Sequence, residues 1–397
     1  MAGVLARIDR ALTPRQPVAI ATAPPDGRRR AIFAAAAPLA VAATVLFSYV
    51  VFALVQNDVP PPERAGLPVL AHWDGQWYLD IAQYGYRGEG GTNPEFRAEF
   101  FPLFPAMAAA VHALLPFVPL DVAGSGLNIV LVLAAVALVD RVARGWTLGQ
   151  RCLLAAFLVT VPNAFFFVCF YGEATLAFCA AVVIWGLRTP DRLLVAAAGA
   201  ALGTFARPVG ILLAVPVLLE AARRPRQRAS MAAGGIVAGG LGGLLLTYQL
   251  AAGSPIAFIH AQFSNPEWRD EGLGRFGLAA AWAKVKDAFV GIGWEDFGAQ
   301  PVGVLAFLLV VAFAVAAWRW DARLAIGALV MVLGPLAFQP LSALARYLVP
   351  TWSAWVGGFA AVRHRRVAMI AVAGLCAAGY ACNLHLLDRF SRWMFVG

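Results

Sequence analysis

Apolar residues fill most of the chain in uninterrupted runs, many close to the roughly 20 residues that cross a bilayer core. Short polar breaks separate the runs and hold most of the arginines. The pattern predicts membrane-spanning helices near 31–56, 122–140, 152–170, 173–187, 230–252, 301–318, 322–340, 344–362 and 367–386. Basic residues cluster at 28–30, 141–151, 188–192, 223–228, 319–323 and 363–366. Placing every cluster on the cytoplasmic side, as basic loops favour, requires an even number of crossings between successive clusters.

That parity decides two stretches. FFPLFPAMAAAVHALLPFVPL, residues 100–120, is apolar but carries four prolines, awkward inside a helix. A full crossing there would move every later basic cluster outside, so the stretch is read as lying in the outer interface or dipping in and returning. LLVAAAGAALGTFARPVGILLAVPVLLE, from residue 193, must instead hold two helices that meet near Arg207-Pro208. Each is about 14 residues, roughly 20 Å long. Their junction then falls below the outer surface, where broken helices line cavities and a charge marks function. The result is an all-α polytopic membrane protein of about eleven transmembrane helices. Its N-terminus is cytoplasmic and its C-terminus external. Residues 1–30 form a cytoplasmic tail, and 57–121 and 253–300 form external loops. The first apolar run is too long for a cleaved signal core and reads as a retained anchor.

Composition supports this reading: 61% of residues are hydrophobic and 13% charged, about half the charged share of a soluble domain. The net charge of +9 does not point to nucleic acid, because about two-thirds of the basic residues fall on the cytoplasmic side, in the tail and the breaks. The wealth of Ala, Gly and Arg resembles bacterial coding bias and points to a bacterial plasma membrane, while the two long external loops put the chemistry on the outer face. The five cysteines lie in or beside apolar runs, so neither a disulfide nor a thiolate metal site is expected. No histidine spacing suits a metal, and no Walker A or dinucleotide fingerprint occurs. No metal or cofactor is expected.

Candidate chemistry gathers in a few places. Residues 72–86, HWDGQWYLDIAQYGY, set Asp74 and Asp80 among aromatics beside a span. Asp74 could close an Asp-Gly turn or cap a short helix over 75–84 ended by Gly85, or act in catalysis. On that helix Trp77, Ile81 and Tyr84 share one face, as an interfacial helix requires, and Asp80 lies on the wetter side. Glu173 begins a span on the outer side, where it is either a helix-dipole acid or part of the site. Arg346 is either a snorkelling anchor or a phosphate ligand. Arg207, set at depth, suits a phosphate through its fork of donors. The second loop offers Gln262 and Trp268, read either as interfacial residues or as sugar contacts.

WDGQWYLDIAQYGY followed by FFPLFP resembles the first external loop of the PIG-V-type mannosyltransferases, relatives of GPI mannosyltransferase 2 with bacterial members. FYGEA, FARPVGI, GSPIAFIHAQF and LSALARYLVP follow in the family's order, over about residues 70 to 350. The resemblance implies the GT-C glycosyltransferase fold, a polyprenyl-phosphate mannose donor, and a lipid, glycan or protein acceptor. It makes Asp74 the catalytic carboxylate. Arg207 and Arg346 are then expected on the donor phosphate, with His72, Trp73, Asp80, Glu173, Gln262, Trp268 and Tyr347 binding or supporting substrate. The alternative, a transporter or flippase for a lipid-linked sugar, predicts inverted repeats, and the two halves show none.

Overall fold

A computed structural model describes residues 28–56, 68–264, 299–338, 341–394 and 396. Among them the protein is entirely helical, without a strand. The helices are α1 (Arg28–Val55), α2 (Gly75–Tyr84), α3 (Leu103–Leu114), α4 (Leu120–Val142), α5 (Leu148–Leu158), α6 (Glu173–Arg188), α7 (Leu193–Ala206) and α8 (Ala214–Arg223). They continue as α9 (Arg228–Ala252), α10 (Ala257–Ser264), α11 (Ala299–Ala317), α12 (Ala322–Phe338), α13 (Leu341–Leu348), α14 (Trp352–Val362) and α15 (Arg366–Ser391). Four of them, α1, α4, α9 and α15, are long and apolar enough to cross a membrane. Helix α1 shows how such a helix sits: Ala42, Leu46, Tyr49 and Ala53 form a buried stripe, while Phe47 and Leu54 stay exposed. With no water to avoid on the outside, large apolar side chains can face outward as well as inward. The other helices pack around a core rich in Phe, Tyr and Trp.

The stretch at 100–120 is a 12-residue helix, α3, followed by a turn into α4. At 1.5 Å per residue it is about 18 Å long, short of the roughly 30 Å core. The break after residue 193 is also present. Helix α7 ends at Ala206, Arg207 is extended, a 3₁₀ turn runs Pro208–Leu213, and α8 follows. Proline at 208 explains the stop, since it disfavours helical backbone in the residue before it.

Two expected spans are not single helices. The run 152–170 is helical only to Leu158, and residues 159–172 form a buried irregular segment with a short 3₁₀ turn, Ala164–Phe167. Pro162 interrupts the ladder, and Asn163 takes the left-handed conformation at φ 65°. Buried backbone outside a helix must find other partners. Asn383 supplies several: it donates to the carbonyls of Thr160 and Val161 and accepts from Phe165 N–H. Asn128 donates to the carbonyls of Cys169 and Tyr171. Phe170 N–H donates to the Leu70 carbonyl at 2.8 Å, and Tyr49 to the Val159 carbonyl at 3.1 Å. The run 344–362 likewise divides into α13 and α14 around Pro350.

Candidate active site

Helix α2 covers residues 75–84 and ends at Gly85, whose φ of 71° suits glycine, as the spacing predicts. Its buried face is Gly75, Tyr78 and Ile81; of the apolar face shared by Trp77, Ile81 and Tyr84, Ile81 is buried and Tyr84 is exposed. The buried face has a packing cause. Tyr78 meets Phe100 and Phe104 edge-on, with ring centroids 5.2 and 5.7 Å away. Trp77 stacks on Phe100 at the margin.

Asp74 occupies the N-cap position but its side chain caps nothing. Its carboxylate lies 2.7 Å from Arg346 Nη1. Arg346 also reaches Glu173, Nε to Oε1, at 3.3 Å, and Glu173 Oε1 accepts a hydrogen bond from Arg207 Nη1. Asp74, Arg346, Glu173 and Arg207 thus form one ion cluster. Four distant stretches build it: the start of α2, α13, the start of α6 after the irregular segment, and the break between α7 and the 3₁₀ turn. Each member stands at or near a helix end, where side chains approach without a neighbouring turn in the way.

Burial within the cluster is uneven. Glu173 is fully buried, Arg207 and Arg346 are 4% exposed, and the Asp74 side chain keeps 19%. Tyr347 walls the two guanidiniums, its ring centroid 4.6 Å from Arg207 Cζ and 5.4 Å from Arg346 Cζ. Tyr171 and Phe166 lie under Arg346, both at 5.6 Å. Such ring faces favour cations where water is scarce. Despite the ion pairing, Glu173 Oε2 and Arg207 Nε are buried without a hydrogen-bond partner. Arg346 is no snorkelling anchor, since its head is inside the protein.

The remaining candidates separate. Tyr347 belongs to the cluster. His72 is nearly fully buried, stacked on Trp393 at 4.0 Å, with Nδ1 donating to the Phe390 carbonyl at 3.3 Å. It packs the end of α15 against the loop. Trp73 sits at φ 55°, uncommon for a bulky residue, and leans on Trp393. Asp80 does not join the cluster and is not on a wet face. It accepts from Thr92 N–H and Thr92 Oγ1 at 2.6 and 2.7 Å and faces Arg97 at 3.5 Å. The fully buried Arg97 also ties the carbonyls of Gly85, Gly88 and Thr92. Asp80 is therefore consumed in shaping the loop. Gln262 falls in α10 with its side chain outside the described residues, and Trp268 lies outside them altogether.

Sequence reasoning did not single out Asn128 or Tyr171. Asn128 secures the backbone just before Glu173, and Tyr171 donates to the His72 carbonyl at 2.7 Å, two residues before Asp74. A buried Asn inside an apolar run was the available signal. Among the described residues no three His, Cys, Asp or Glu side chains gather as a metal site. Neither a protein-family model nor a curated protein matches this chain.

Proposed function

We propose that the chain is an integral membrane glycosyltransferase of the GT-C type, which transfers mannose from a polyprenyl-phosphate donor to a hydroxyl of a lipid, glycan or protein acceptor. The sugar and the lipid carrier come from the resemblance to PIG-V-type enzymes. One observation carries the reading most: two carboxylates and two guanidiniums from four separated stretches meet in one buried cluster. Burying charge is costly, and replacing such a group by apolar residues is often neutral or stabilising. A cluster kept at helix breaks, with polar atoms still unpartnered, fits a site awaiting a charged ligand.

The chemistry follows. The acceptor oxygen attacks the anomeric carbon as the bond to the phosphate oxygen breaks, inverting that centre. Asp74, the most exposed member, takes the acceptor proton as general base. Negative charge grows on the departing lipid phosphate, and Arg207 and Arg346 stabilise it. Before donor binding Arg346 neutralises Asp74. An arriving phosphate competes for that guanidinium, and Glu173, 3.3 Å away, keeps Arg346 within the cluster while Asp74 is freed. No covalent intermediate is needed.

The test uses membranes supplied with labelled polyprenyl-phosphate mannose. Asp74→Asn should unfold at the same temperature as wild type and lose transfer by at least about 100-fold, the lower range for a general base. Turnover close to wild type would reject Asp74 as the base.

A further inference from the structure

Tyr78 is 3% exposed and lies one turn after Asp74 on the buried face of α2. A buried phenol usually finds a partner for its hydroxyl. Tyr49, Tyr86, Tyr171 and Tyr248 do, donating to the carbonyls of Val159, Phe100, His72 and Ala98. The Tyr78 hydroxyl has no hydrogen-bond partner among the described residues.

Its surroundings show where it points. A Cβ added to Gly172 would come 3.3 Å from Tyr78 Oη and 3.6 Å from Arg207 Cγ. The phenol and the Arg207 stem therefore flank the same bare backbone, one residue before Glu173. The same Cβ would lie 3.2 Å from the Ala206 carbonyl, so a side chain at 172 would crowd the gap between them. Burial pushes the Tyr78 phenol well above the usual range, with Arg207 and Arg346 opposing and Glu173 and Asp74 adding. It is a neutral O–H donor and cannot replace Asp74 as a base.

We propose that Tyr78 is a direct ligand of the donor phosphate, giving its O–H to a phosphate oxygen held by Arg207. The inference rests on reading the ion cluster as a phosphate site. It adds a neutral donor to the two cations. The ligand class is a phosphate ester on a lipid chain, and the phosphate is the part that Tyr78 recognises.

The full-length protein in lipid nanodiscs provides the test. Binding is measured for a short-chain polyprenyl monophosphate, its parent alcohol and inorganic phosphate, with wild type and Tyr78→Phe. The phenyl ring keeps the packing on Phe100 and Phe104. Wild type should prefer the monophosphate to the alcohol. Tyr78→Phe should weaken monophosphate binding about 10- to 100-fold, the range for a hydrogen bond to a charged group. Alcohol binding and the unfolding temperature should not change. The same loss with inorganic phosphate supports the contact and shows that the chain is not what Tyr78 reads. Monophosphate binding equal to wild type overturns the contact while leaving the phosphate site standing. Equal weakening of monophosphate and alcohol with a lowered unfolding temperature also overturns it, as a packing role. A wild type that does not distinguish monophosphate from alcohol removes the phosphate site itself, and this contact with it.

Discussion

Among the described residues two buried ion clusters stand out, and they are finished to different degrees. In the cluster around Asp321 both oxygens of the central carboxylate are held. Arg323 grips both Asp321 oxygens at 2.9 and 2.6 Å, reaches Glu220 at 2.7 Å and donates to the Leu187 carbonyl. Arg188 adds a contact to Asp321 at 3.4 Å and lies over the Trp320 ring at 4.4 Å. Arg223 donates to the same Glu220 oxygen at 2.9 Å. This cluster fastens the end of α6, helix α8 and the turn from α11 to α12. In the cluster around Glu173 one carboxylate oxygen serves two guanidiniums while its twin has no partner, and Arg207 Nε is likewise alone. Saturation marks a clasp, because unpartnered buried charge is expensive. Incomplete pairing marks a place where something else is expected to sit.

Topology is the coarsest way to break the comparison, because its outcome is all or none. The clusters are read on opposite membrane faces. In a background with the five native cysteines replaced, Asn93→Cys should react with an impermeant reagent from outside. Gln227→Cys should react only once the cytoplasmic side is opened. Residues 93 and 227 are both exposed. The neighbouring Thr92 is buried against Asp80 and would report nothing. Reaction of both from one side would place the clusters on one face.

The next effect is on stability. Asp321→Ala leaves Arg188 and Arg323 short of their shared carboxylate and should cost about 3–5 kcal/mol. Thermal unfolding in detergent reads this, and transfer per folded molecule should stay near wild type. Arg207→Ala also strips a guanidinium from the buried Glu173 and should cost stability, but here donor use per folded molecule should fall as well, by about 100- to 1000-fold, comparable with removing one preorganised electrostatic donor. If Arg207→Ala destabilises as much as Asp321→Ala while donor use per folded molecule persists, the two clusters are the same kind of object.

Much of this arrangement was legible in the sequence. The Gly85 stop of α2 and the break at Arg207-Pro208 both follow from local chemistry of Gly and Pro. Charge parity assigned Asp74, Glu173, Arg207 and Arg346 to one side, and they meet. What could not be read is who pairs with whom. Spacing does not reveal that Arg346 chooses Asp74, that Asp80 serves Thr92, or that His72 belongs to the last helix. The irregular segment at 159–172 was hidden for a related reason. Hydropathy counts side chains, while the segment depends on amides of Asn128 and Asn383 standing in for helical hydrogen bonds.

The contact between His72 and Phe390 joins residues 318 positions apart. At synthesis rates of roughly 5–20 residues per second, a ribosome needs about 15–60 s to travel that distance. For that interval the nascent chain carries Asp74 without the aromatic backing of its loop, and for most of it without Arg346. The centre is thus completed only when the last helices emerge, and an unfinished chain released early would hold Asp74 without the cation that pairs with it.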